Sequence, residues 1–246
     1  QKKFFGHLLK GANTGWKKQP KVVLQVRHPG EKFVERHENE WPLARTRWTK
    51  FYLNPADQSL VRAPVGRNGS VSYNGFGDGV TFLTPPLPRE TEVTGPIAAR
   101  LYVSSETADA DLFLVARVFT PDMKEVTFQG ALDPHTPIAQ GWLRASHRKL
   151  DPKRSTPQQP WLLHKRLLKL KPGVPVPVEI EIWPSGTRFA RGERLRLVVQ
   201  GSDIYKYARW IARAGHPRTI NAGTHVIHTG GQYDSHLLLP VIPAKR

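Results

Sequence analysis

Cysteine is absent from the 246-residue chain and methionine occurs once. The first absence removes disulfides, thiolate zinc sites and cysteine nucleophiles by count. Long apolar runs are missing as well: segments such as Leu237 to Leu239 fall far short of the ~20 residues that a membrane helix requires, so no membrane partner is expected. No basic region followed by an apolar one stands at the amino end, so no signal peptide is expected, which leaves the compartment open and tilts it towards the cytoplasm. Also lacking is any Gly-x-Ser-x-Gly, the sharp strand-to-helix turn on which an α/β-type serine hydrolase mounts its nucleophile.

Acidic residues are scarce: 20 Asp and Glu stand against 37 Lys and Arg, a formal net charge of +17. Such an excess invites a nucleic-acid reading, but the basic residues are scattered in ones and twos and alternate with apolar residues, as on the wet face of a strand. There is no RNP, zinc-finger or helix-turn-helix signature, so no specific nucleic-acid partner is expected. An acidic partner domain facing the charge is the plainer alternative.

What is present divides into one helix and many strands. The chain opens at Gln1, without Met, on "QKKFFGHLLKGANTGW". Phe4, Phe5, Leu8 and Leu9 recur at helical spacing, and Gly11 stands where the helix would stop. An amphipathic helix this short needs a neighbour to cover its stripe. Residues 1–20 therefore read as a terminal helix and linker, and 21–246 as one β domain. In that second part the runs are β-branched and aromatic, punctuated by 22 Pro and 20 Gly. In "VPVEIEIW" Val176, Val178, Ile180 and Ile182 share one face while Glu179 and Glu181 take the other. The reading is mainly β, a two-sheet antiparallel sandwich, with strands expected at Val126 to Leu132 and Trp142 to Leu150 among others. Pro55 to Pro96 and Asp151 to Pro160 are expected to be long connections.

Several clusters could carry chemistry. Ser146 precedes His147, but neighbours on a strand point to opposite faces, so a structural role is expected for both. His225, His228, His236 and Asp234 could be gathered around a metal, yet the segment reads as strand and turn without a ligand spacing, and solvated or core histidines are the expectation. Asp109 and Asp111 are expected to cap a turn rather than hold calcium, because a ligand-rich loop is missing. No cofactor is expected. Tyr207 and Trp210, in "KYARWIARAGHPR", read equally as interaction anchors or as plugs at the sandwich end.

The ordered set "FFGHLLKG", "EWPLARTRWTKFYL", "EVTGPIAARLYVSSETADADLFLVARVFTPD", "GWLRASHRKLDP", "LKPGVPVPVEIEIWPSGTRFARGERLRLVVQGSD" and "HTGGQYDSHLLLPVIP" resembles the carboxy-terminal part of the cocaine-esterase-like (CocE/NonD) acyl hydrolases. That part is similar to the X-Pro dipeptidyl-peptidase C-terminal non-catalytic domain. The resemblance implies a jelly-roll sandwich of the galactose-binding-like type, preceded by the last helix of an α/β-hydrolase domain. It places the catalytic Ser, Asp and His in that upstream domain, so no catalytic residue is assigned here. Phe4, Phe5, Leu8 and Leu9 become the stripe that docks on the hydrolase domain of the same protein. Phe76, Phe82 and Leu83, in the loop before the "VTGP" strand, become candidate walls of its acyl pocket. Small acyl esters or X-Pro peptides would be substrates of the parent, and homo-oligomer contacts are a further role left open. The competing reading is a stand-alone carbohydrate- or ligand-binding sandwich, supported by fold analogy alone.

Overall fold

Alternation of apolar and polar residues decides most of the architecture. The computed structural model describes residues 1–30, 32–128, 135–204 and 220–243. A helix, α1 (Lys2–Lys10), and a 3-10 turn at Trp16–Lys18 precede the strands. The first seven strands are β1 (Val22–His28), β2 (Lys32–Glu38), β3 (Arg47–Leu53), β4 (Leu60–Val61), β5 (Gly69–Asn74), β6 (Val80–Leu83) and β7 (Thr91–Ser105). The second seven are β8 (Asp111–Phe119), β9 (Glu125–Val126), β10 (Ala139–Arg144), β11 (Val176–Phe189), β12 (Arg194–Gln200), β13 (Thr224–Thr229) and β14 (His236–Ile242).

Two sheets face each other, as the sequence led one to expect. The larger runs β2-β1-β11-β7-β14-β3-β4, with β13 bridging β7 to β5. The smaller runs β10-β8-β12-β6, with β9 beside β8. Pairing is antiparallel except where β1 meets β11 at Arg27 and Thr187. Between the sheets lie Ile97 and Leu101 from β7, Ile180 and Ile182 from β11, Leu114 from β8 and Leu197 from β12, all with 1% exposure or less. Each such side chain contributes about 1.5–3 kcal/mol relative to exposure.

Three sequence expectations are corrected in detail. Pro55 to Pro96 is not one long connection, because it contains β4, β5, β6 and the start of β7. Those strands are short and separated by Gly and Pro, which hides their period. The strand expected through Leu150 ends at Arg144 and continues as a 3-10 turn, Ala145–His147. The buried Asp109 carboxylate causes that turn by accepting the Ser146 N–H at 3.0 Å. Of the strand expected from Val126 to Leu132, Val126 lies in β9, and 129–132 lie outside the described residues. Finally, the strand expected from Val174 to Trp183 begins at Val176 and runs as β11 past Pro184 to Phe189, with a register shift between Ile182 and Ser185 that absorbs the proline.

Candidate functional site

The apolar stripe at the amino end stands outside the core. Gly11 closes α1 in the left-handed conformation (φ 64°), and the N–H groups of Gly11 and Ala12 reach back to His7 O and Gly6 O. Thr14 Oγ1 donates to Lys3 O at 2.7 Å, which folds the linker back along the helix. Phe4 is then gripped edge to face by Phe5 and Trp16, at centroid distances of 5.1 and 5.0 Å. No residue of α1 is buried, and Phe5, Leu8 and Leu9 are 49%, 57% and 76% exposed. Of the four stripe residues, only Phe4 is half-buried, while Phe5, Leu8 and Leu9 remain exposed. On the β1–β2 hairpin, Val23 and Phe33 share a face by register and are exposed too.

The second set of candidates is dispersed by the geometry. Phe76 sits at the tip of the β5–β6 turn, its N–H held by Asn74 Oδ1 at 2.9 Å, and is 66% exposed. Gly79 (φ 77°) brings this turn so close to β12 that a Cβ there would lie 2.2 Å from Val199 O. Along β6 the side chains alternate: Phe82 points into the core with no exposed surface, and Leu83 is half-buried on the other side. Phe82 therefore has no surface to offer a neighbour, and any wall contributed here rests on Phe76 and Leu83. Immediately after β6 the chain forms one side of a cleft of about 470 Å³, with Pro85, Pro86 and Leu87 facing Phe51, Leu60 and Arg62. The Arg62 guanidinium lies over the Phe51 ring at 5.4 Å. Sequence reasoning did not single out this cleft. Its signal was the "TPPLP" stretch, whose fixed backbone angles hold an extended wall.

The polar candidates resolve into structural networks. His147 Nδ1 meets His164 Nδ1 at 3.0 Å, while Ser146 is fully buried, so the two neighbours do not act as a couple. Asn221 accepts the Asp111 N–H on Oδ1 at 2.8 Å and donates from Nδ2 to Gly201 O. That fixed amide receives the His225 Nε2–H at 3.1 Å, and Nδ1 lies 2.9 Å from Ser105 Oγ. His225 is thus a satisfied core histidine, and burial holds its pKa below the ordinary value, which favours the neutral ring. His228 lies on the opposite face of β13 with Nε2 at 2.8 Å from Ser104 Oγ, and His236 Nδ1 donates to Asp234 O at 2.7 Å. Among the described residues no group of three His, Cys, Asp or Glu side chains converges on one point.

The expected turn-capping acids do more than cap. Asp109 accepts the Ala110 and Ser146 N–H groups on Oδ1 and the Lys169 ammonium on Oδ2 at 3.0 Å. Burial alone would raise its pKa, but the hydrogen bonds from Ser146 and Lys169 outweigh it and leave the carboxyl below its usual range. Tyr207 and Trp210 lie outside the described residues.

Comparison with known proteins gives consistent results. The family described as the X-Pro dipeptidyl-peptidase C-terminal non-catalytic domain matches residues 14–238. The cocaine esterase of Rhodococcus sp. (strain MB1 Bresler) is 26% identical over 285 residues, covering 98% of this chain and 45% of that protein. A crystal structure of a CocE/NonD family hydrolase from Staphylococcus aureus superimposes with a TM-score of 0.90 at 36% identity, covering 98% of this chain and 45% of that one. An aminopeptidase from the marine sediment archaeon Thaumarchaeota archaeon shares the fold, with a TM-score of 0.70 at 16% identity over 98% of this chain and 43% of that one. The chain spans less than half the length of these relatives.

Proposed function

The chain belongs to the X-Pro dipeptidyl-peptidase C-terminal non-catalytic domain family, as found in CocE/NonD-type hydrolases, and from that membership we propose that it caps the catalytic domain of a serine hydrolase acting on esters or X-Pro peptide bonds. In this reading the sandwich supplies walls and support, while nucleophile, base and oxyanion hole belong to the hydrolase domain.

One observation carries the proposal. Phe5, Leu8 and Leu9 form an exposed apolar stripe on a helix with no buried residue, beside a sandwich whose own core is complete without it. Burying three such side chains against a neighbouring domain would contribute several kcal/mol, at about 1.5–3 kcal/mol each. The family match begins at residue 14, after α1, which supports assigning the helix to the preceding domain. The exposed Phe76 and the proline-walled cleft beside Leu83 supply apolar surface for the rim of a pocket formed where the two domains meet.

The test compares this chain and the full-length parent on p-nitrophenyl esters and an X-Pro anilide. Turnover is expected only from the parent. Hydrolysis by the sandwich alone, surviving serine-directed inhibitors, would overturn the reading.

A further inference from the structure

Trp142 on β10 and Trp183 on β11 belong to different sheets, yet their indoles meet edge to face, with centroids 5.3 Å apart and planes inclined at 63°. Gly141 makes the approach possible, because a Cβ there would lie 2.1 Å from Glu181 O. The connection after β10 then returns over this seam. Asp151 N–H donates to Trp161 O at 2.8 Å, and Leu163 N–H donates to Lys149 O at 2.9 Å. Trp161 and His164 consequently stand among the residues around a groove of about 430 Å³ that Trp142, Trp183, Glu179 and Glu181 also line.

The character of this groove is opposite to that of the chain. In a protein of net charge +17 with 37 Lys and Arg, no Lys or Arg among the described residues lines it. It presents three tryptophans that keep 37–55% of their surface exposed and two carboxylates from the outward face of β11. Glu179 is shared with Arg100 at 3.2 Å, whereas Glu181 is exposed and forms no hydrogen bond or ion pair with another described residue. The side-chain donors of the lining residues are indole and imidazole N–H groups, while the carboxylates only accept. Such a wall suits a ligand that is positive and donates, since indole faces carry the negative lobe of the ring quadrupole. Beside the groove, Arg154, which does not line it, already rests its guanidinium over Trp161, 4.9 Å from the ring centroid, so the indoles open to a ligand are those of Trp142 and Trp183.

We propose that this groove binds an organic cation, an alkylammonium or guanidinium group, seated on the indoles of Trp142 and Trp183 with Glu181 as its counter-charge. The cation belongs either to a free small molecule or to an Arg or Lys side chain of a peptide, and the site recognises the same group in both. The proposal does not rest on the docking of a catalytic domain.

The experiment titrates full-length protein with choline, with its neutral isostere 3,3-dimethylbutan-1-ol, and with acetyl-arginine amide, at constant ionic strength, reading indole fluorescence and calorimetric heat. Saturable binding of choline or of the arginine derivative is expected, with the neutral isostere at least tenfold weaker. The tighter of the two cations assigns the free or the peptide source. Trp183→Ala and Glu181→Gln, both at exposed positions, should each weaken the cation by about tenfold while leaving the circular dichroism spectrum unchanged. Equal binding of the neutral isostere, no saturable binding of either cation, or unaltered affinity in both variants would overturn the proposal.

Discussion

Arg144 at the end of β10 and Asp111 at the start of β8 form a two-pronged ion pair, Nε to Oδ1 at 2.7 Å and Nη2 to Oδ2 at 2.9 Å. They are also register partners in the sheet, and the same carboxylate accepts the Ile220 N–H at 2.9 Å. One side chain thus closes the edge of the smaller sheet and anchors the segment entering β13.

Asp111→Asn keeps the volume and removes the charge. The Asp111 side chain is 9% exposed and that of Arg144 34%, so the pair is partly screened, and the expected loss is about 2 kcal/mol, below the range for a fully buried pair. Urea denaturation checks this, and an unchanged midpoint would mean that the fork contributes nothing net.

Gly141→Ala tests the seam between the sheets. The added methyl would sit 2.1 Å from Glu181 O, a backbone atom that cannot swing away, so β10 must shift from β11. Overpacking of this kind costs about 1–3 kcal/mol. The Trp142–Trp183 contact should loosen with it, visible as a red shift of indole emission; a variant as stable as the parent sequence with unshifted emission would contradict the geometry.

The double change Leu8→Glu, Leu9→Glu separates intrinsic stability from docking. Neither side chain is buried, so the isolated sandwich should keep its unfolding free energy to within about 0.5 kcal/mol. In the full-length protein the same change should uncouple the thermal transitions of sandwich and catalytic domain. A single unaltered transition there would count against α1 as the docking element.

Acid should weaken the fold as the pH falls through the imidazole range. Burial holds His225, His228 and His236 below the ordinary imidazole value of 6.5. Unfolding exposes them to protons that the folded chain does not take up, so their contribution is complete above that value and declines as the pH falls below it. Glu179 and Glu193, raised by burial, work in the opposite direction as the pH nears their usual range. Urea midpoints at pH 7.5 and 6.0 give the cleanest comparison, with the lower one expected at pH 6.0; equal midpoints would show that these rings gain protons without penalty.

The strand faces were legible because a period of two is a local property: Val178, Ile180 and Ile182 announce an inward face whatever lies opposite. The stripe of α1 was legible for the same reason at its own period, and its exposure in the fold follows from that pattern having no partner nearby. The inward direction of Phe82 was not legible because the two- to six-residue strands between Pro55 and Pro96 are too short to reveal a face beside so many Gly and Pro residues. Asp109 and Asp111 read as turn residues because nothing local tells which cation will arrive from Lys169 or Arg144, 60 and 33 positions away.

Strands for a β-sandwich and one amphipathic helix could be read along the chain, since both are written in the spacing of neighbouring side chains. Which strands adjoin, that a glycine lets β10 touch β11, and that three tryptophans and two carboxylates share one groove emerged with the fold. Those outcomes depend on contacts between residues far apart in the chain, which no local period encodes.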